Sequence, residues 1–289
     1  MAHVFIVDEK TLPVHLKYLF AGTGAKDFEC DFLDDMQSSV QPSRERLLVG
    51  MIADISRVKP GDDVLFYLQQ TSIYEGMFYG SFKVASNPFL CDGNYLKNEL
   101  GKKLTFRVEL IPGKVYSKGI TERECLDSLD GIDHPSQMCW SLIYRKLKAN
   151  RGCTMITDFE YRRIINKIAE KNSGLLESDY YDFDSYNHEI VKSSISYKYL
   201  GSKQSLNILD RFLYKKNRHN AYETHLQAYI LQNLSSIAEL RVNNKAITWI
   251  GNEMSCGVGM QSIDVVFIQE DKNEADFVIC ELKDEQPVQ

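Results

Sequence analysis

No apolar stretch in this chain approaches the roughly 20 residues that a membrane-spanning helix requires, so a helical membrane protein is not expected. The seven cysteines (Cys30, Cys91, Cys125, Cys139, Cys153, Cys256 and Cys280) are odd in number, dispersed and free of any C-x-x-C pair. That spacing argues against a structural zinc site and for reduced thiols in the cytoplasm. Met1–Val7 lacks the basic region and cleavage site of a signal peptide and reads as a first strand. A phosphate-binding loop is missing too, because Gly22-Thr23-Gly24 has neither the lysine nor the strand–helix context of one. His3, His15, His134, His188, His219 and His225 show no ligand spacing, and no internal repeat or low-complexity tract occurs.

Net positive charge is also lacking. The balance of −6 disfavours nonspecific binding to nucleic acid. The charges are uneven, however. Asp27–Asp35 and Glu177–Asp184 gather acids, whereas Tyr197–His219 carries Lys198, Lys203, Arg211, Lys215, Lys216 and Arg218. An acidic protein with one basic face remains compatible with DNA, and the second stretch is the expected basic face.

What is present is material for one large domain or two ordinary ones: 289 residues, 44% hydrophobic and 26% charged. Strands are predicted over His3–Val7, Asp63–Gln69, Met77–Ser86 and Leu104–Leu110 from apolar alternation. Ser43–Val58 is predicted as a helix, with Leu47, Leu48, Met51, Ile52 and Ile55 at helical spacing behind Pro42-Ser43. Two more helices are expected: Ser136–Lys148, and Thr157–Asn172 behind the capping sequence Thr157-Asp158-Phe159-Glu160. Periodicity fades from Ser173 to Ser205, which reads as an aromatic-rich linker over residues 173–205. Beyond it, Ser205–Tyr214 and Asn220–Leu234 read as helices and Thr248–Gly251, Ser262–Gln269 and Asp276–Lys283 as strands.

The chemistry is concentrated in the last two strands. Asp264 opens the run Ile263–Ile268, and sixteen residues later Glu281-Leu282-Lys283 closes the run Phe277–Lys283. Both runs are β-branched and aromatic, and Glu270–Ala275 between them is a polar turn. A hairpin of that length brings Asp264 and Glu281 together on neighbouring strands. Two carboxylates at the edge of an apolar sheet are costly unless compensated, and a divalent cation is the usual compensation. Asp and Glu-x-Lys at strand ends also occur as ordinary surface features, so the pattern alone leaves both readings open.

Asp264, Glu281-Leu282-Lys283 and the preceding helix acid Glu223, in Tyr222–Ile230, resemble the PD-(D/E)XK nuclease superfamily, of the RecB-like and mismatch-endonuclease type. The resemblance implies a restriction-endonuclease-like α/β sheet in which Asp264, Glu281 and Glu223 hold Mg²⁺ or Mn²⁺. Lys283 then orients the attacking water. The chain stops at Gln289, short of the helix and strands that normally cover such a sheet.

A second resemblance covers about Met1–Asn172. Lys59–Tyr67, Gly76–Phe89, and Trp140–Lys148 followed by Arg151–Thr157 are similar to the EVE and YTH-like branch of the PUA superfamily, small β-barrels with flanking helices that bind modified bases. It implies an aromatic base pocket, with Trp140, Tyr67, Phe78 and Tyr79 as candidate walls, Tyr74 a further aromatic, and Asp31, Asp34 or Ser39 as candidate readers of the base edge. A strand aromatic is more commonly core.

The expected protein is therefore mixed α+β and α/β. It has a PUA-like barrel over 1–172, a linker over 173–205 and a nuclease-like sheet over 206–289. Together these imply a Mg²⁺-dependent endodeoxyribonuclease of a prokaryotic restriction system, cytoplasmic and dimeric, that flips out a modified base and cuts DNA. The alternative is a non-catalytic reader whose second domain is a scaffold. A third class is an adaptor that docks a partner nuclease through Asp179–Tyr199.

Overall fold

The structure is a computed structural model, and it describes residues 1–24, 42–91, 94–127, 137, 152–217, 223–240, 245–255, 262–272 and 274–283. In chain order the elements are β1 (Ala2–Val7), α1 (Thr11–Tyr18), β2 (Phe20–Thr23), α2 (Pro42–Ser56), β3 (Asp63–Leu68), β4 (Met77–Val84), β5 (Phe89–Leu90) and α3 (Lys97–Leu100). They continue with β6 (Phe106–Pro112), β7 (Ile120–Thr121), α4 (Glu122–Leu126), β8 (Cys153–Ile156), α5 (Asp158–Glu170), β9 (Tyr181–Asp184), β10 (Glu189–Lys192) and β11 (Gln204–Ser205). The last are α6 (Leu209–Lys216), α7 (Glu223–Asn233), β12 (Ala246–Ser255), β13 (Ser262–Glu270) and β14 (Ala275–Cys280).

Two compact units result. One comprises Met1–Asp27 with Val58–Ser205, the other Phe28–Arg57 with Leu206–Gln289. The division differs from the one expected from sequence: α2 belongs with the C-terminal segment, and residues 173–205 belong to the first unit rather than to a linker.

The first unit is built on a nine-stranded mixed sheet, ordered β11-β5-β6-β4-β3-β1-β8, with β2 on β6 and β7 on β4. Next to its β8 edge lies the parallel pair β1–β3, in register from Ala2↔Asp63 to Val7↔Leu68. Val4, Phe5, Leu65 and Phe66 are all fully buried, so these strands are covered on both faces. That is why they read as continuous apolar runs. Among the described residues the sheet does not close into a barrel. It curls, though: a Cβ added at Gly152, just before β8, would lie 2.2 Å from Oγ1 of Thr23 on β2. Only glycine permits so close an approach.

α5 packs on this sheet through Ile164, Ile165 and Ile168, spaced to share one helix face. Its start is fixed by Thr157, whose Oγ1 accepts the Glu160 amide at 3.2 Å. Residues 173–205 are held by a hairpin of β9 and β10. Tyr181 meets Phe82 edge-on at 5.8 Å and Phe183 meets Tyr79 at 5.5 Å. These aromatics made the segment too apolar for a tether, and packing is where they go.

The second unit places α2, α6 and α7 with an antiparallel sheet ordered β12-β13-β14. Val265, Val266, Phe267 and Ile268 of the central strand are buried, as are Trp249, Ala228, Leu231 and Ile52. A buried charged cluster joins its helices. Glu45 on α2 accepts from Arg211 Nε at 2.7 Å and Nη2 at 2.5 Å, and lies 2.8 Å from His225 Nε2 on α7. Lys215 of α6 stands 3.7 Å away. The end of α2 is tied to β12, with Arg57 Nη1 donating to the Ile250 carbonyl at 3.0 Å.

Candidate metal centre

The β13–β14 hairpin sets the site. Its register runs from Glu270↔Ala275 to Val265↔Cys280, and the same count carried one step past the last pair would set Asp264 opposite Glu281. Residues directly opposite in an antiparallel pair share a face, so that continuation would bring the two carboxyl groups to one side of the sheet. Alternation along β14 extends that face: Phe277 and Ile279 are exposed, Val278 and Cys280 half-buried, and Glu281 and Lys283 exposed. The open end of the hairpin is cross-braced by the Leu282 amide, which donates to Asp264 Oδ2 at 2.7 Å.

The helix approaches the same strand. Gln227 of α7 is 2% exposed, and its Nε2 donates to the Asp264 carbonyl at 2.7 Å. Its other amide atom, Oε1, is buried with no hydrogen-bond partner. Glu223, one turn earlier, is exposed. A helix residue seen bonded to β13 is thus Gln227, one turn beyond the expected Glu223. The sequence did carry the signal, since positions 223 and 227 share a helix face. β12 brings in an acid that sequence reasoning missed. Glu253 lies between the pairs Asn252↔Val265 and Met254↔Ile263, at the position facing Asp264, with φ 46°. Among the described residues, no three His, Cys, Asp or Glu side chains gather closely enough to hold a metal ion.

Charge is balanced differently at the two ends of this hairpin. At the turn, Lys245 Nζ reaches Asp276 at 2.8 Å, Glu274 at 3.0 Å and Asp271 at 3.9 Å. Those hydrogen bonds, first from Asp276 and then from Glu274, push the lysine pKa up. At the open end, no ion pair joins Asp264 or Glu281 to a cation among the described residues. Like charges directly opposite on paired strands destabilise a sheet, so this end has an acid pair that a cation would relieve. Carboxylate and amide oxygens are hard ligands, of the kind that suit Mg²⁺ or Mn²⁺ rather than a thiolate-loving metal.

Two residues of the expected basic face turn inward, while Lys198, Lys203 and Lys216 are exposed. Arg211 is fully buried, Lys215 nearly so, and both neutralise Glu45. Lys203 pairs with Glu109 at 2.6 Å. With Glu45 buried, desolvation raises its pKa, but hydrogen bonds from His225 and Arg211 outweigh that and hold it at about 2.

The candidate base pocket fares similarly. Tyr67, Phe78 and Tyr79 are 2%, 0% and 1% exposed. Tyr67 packs on Phe78 at 4.9 Å and donates its hydroxyl to Glu122 at 2.7 Å. Tyr79 donates to the His188 carbonyl at 2.8 Å. Burial, chiefly, raises the pKa of both phenols. They are core residues, and the two hydroxyls are satisfied internally. Tyr74, 43% exposed, lies tilted against His188 with ring centroids 4.0 Å apart. Trp140, the helix predicted over Ser136–Lys148, and Asp31, Asp34 and Ser39 lie outside the described residues, apart from Gln137. Among the described residues no helix is long and apolar enough to cross a membrane. No model of a known protein family matches this chain, and no curated protein matches it.

Proposed function

We propose that the second unit is a divalent-metal-dependent phosphodiesterase acting on DNA, and that the whole chain is a modification-dependent endonuclease. The observation that carries this reading is the antiparallel register of β13 and β14, which closes at Val265↔Cys280, one residue short of Asp264 and Glu281. The order α7-β12-β13-β14, with Lys283 two residues past Glu281, supports it through the PD-(D/E)XK resemblance.

Asp264 and Glu281 hold Mg²⁺ or Mn²⁺ here. The cation, when bound, offsets charge on the phosphate and makes water nucleophilic near neutral pH. Asp264 is kept in place for this by the Leu282 amide on its side chain and by Gln227 on its carbonyl. Lys283 Nζ donates hydrogen bonds to the attacking water or to a phosphate oxygen. Phe277 and Ile279, exposed on the same face, limit water around the acids when DNA covers them.

The first unit selects the DNA in this reading, on the strength of the EVE-like segments Lys59–Tyr67 and Gly76–Phe89. Its buried Tyr67, Phe78 and Tyr79 shape the sheet and do not touch the base. Cutting both strands needs two metal sites, which a symmetric dimer supplies.

The test is incubation with Mg²⁺ and phage DNA carrying modified cytosine or adenine, beside unmodified DNA. Modified DNA is cut, and Lys283→Ala abolishes cutting while binding persists. Equal inertness on every DNA refutes the nuclease. Binding of modified DNA that Lys283→Ala leaves intact, with no cutting by either protein, selects the non-catalytic reader.

A further inference from the structure

Gln227 is the residue that neither the motif nor its spacing assigns. Its side chain is 2% exposed and lies between α7 and the start of β13. The amide is oriented by one hydrogen bond: Nε2 donates to the Asp264 carbonyl at 2.7 Å. With the nitrogen fixed, the oxygen has no freedom to turn toward solvent, and it stays buried without a donor. Buried acceptors are almost always paired, so such an orphan calls for a ligand. A rotamer flip does not rescue it, because the amide nitrogen would then lose the carbonyl it serves. The carbonyl it serves belongs to Asp264, whose carboxylate accepts the Leu282 amide, next in the chain to Glu281, at 2.7 Å. A group that would satisfy an amide oxygen at so acidic a strand end is a cation.

We propose that Gln227 Oε1 is a neutral oxygen ligand of the divalent cation held by Asp264 and Glu281. The proposal rests on the metal reading above and deepens it: the site has two charged oxygens and one neutral one, the last delivered by α7. Amide oxygens are ordinary ligands for hard divalent cations. A neutral third donor leaves the site less negative than three carboxylates would. The same side chain thus has two tasks, fixing the Asp264 backbone through nitrogen and binding through oxygen.

The experiment is a Mn²⁺ titration of the full chain, following free ion by electron paramagnetic resonance, with circular dichroism as the control for folding. Wild type binds Mn²⁺, and Glu281→Gln weakens that binding. Gln227→Leu, similar in bulk but without the oxygen, weakens it about tenfold to a hundredfold. Gln227→Glu keeps an oxygen, adds a charge and binds more tightly than wild type. Unchanged affinity in folded Gln227→Leu overturns the proposal and leaves the metal reading standing. If that variant fails to fold, Gln227→Glu decides: affinity unmoved by the added carboxylate, or weakened, overturns it. Absence of Glu281-dependent Mn²⁺ binding in wild type removes both the proposal and the metal reading.

Discussion

Glu45→Ala removes an anion from a buried cluster of cations, and its effect on stability follows from the geometry. The carboxylate is 1% exposed, Arg211 is fully buried and His225 is fully buried. Arg211 grips both carboxylate oxygens, at 2.7 and 2.5 Å. After truncation the guanidinium is left in the interior with Lys215 beside it and no counter-charge from Glu45. Breaking a buried pair in this way costs about 3–5 kcal/mol, against the roughly 5–15 kcal/mol that holds a domain together. With an m-value of about 2 kcal/mol/M in urea, the unfolding midpoint drops by about 2 M. Trp249 is buried in the same unit, so its fluorescence in a Trp140→Phe background reports on that unit alone. Glu45→Gln keeps the shape and an acceptor and falls between the two. The pH dependence is a second check. Glu45 titrates at about 2 in the folded chain against an ordinary 4.5. A lowered carboxylate pKa means stability is complete above about pH 4.5 and is lost as pH falls toward 2. A loss under about 1 kcal/mol for Glu45→Ala would refute the reasoning, since water would then be reaching Arg211.

The first unit has its own acid sensitivity. Burial, chiefly, lowers the His15 pKa from 6.5 to about 3, with the Arg107 charge adding to it, while Nδ1 bonds the Phe20 carbonyl at 2.9 Å. The unfolded chain therefore takes up the proton first. Stability is full above about pH 6.5 and declines as pH falls toward 3, by up to about 1.4 kcal/mol per pH unit. Thermal melts across that range show the slope, and His15→Gln reduces it. Tyr67→Phe removes the hydroxyl bonded to Glu122 and costs about 1–3 kcal/mol. In calorimetric titration with modified oligonucleotides it leaves affinity unchanged; a tenfold loss would return Tyr67 to the binding surface.

Local signals carried well through this chain. The two β-branched runs and the polar turn between them define a hairpin, and the structure pairs them from Glu270↔Ala275 to Val265↔Cys280. Helices α2, α5, α6 and α7 sit where apolar spacing placed them, within a few residues. What did not carry was every feature decided by a distant partner. Arg211 and Lys215 look like a solvated basic stretch until Glu45, 166 residues from Arg211, is folded onto them. The membership of α2 in the second unit has the same origin, because a helix's apolar stripe does not say which surface it will meet. Tyr67, Phe78 and Tyr79 were ambiguous for another reason. β3 and β4 are buried on both faces, so alternation cannot distinguish a pocket wall from core. Gln227 was visible as a face-mate of Glu223, but an unpaired amide oxygen is a property of packing alone.

The most direct measurement is the anomalous difference map of a crystal soaked in Mn²⁺. The account predicts a peak within ligand distance, about 2–2.5 Å, of oxygens from both Asp264 and Glu281. A peak elsewhere, or a well-ordered Asp264–Glu281 pair with no ion at millimolar Mn²⁺, would contradict it.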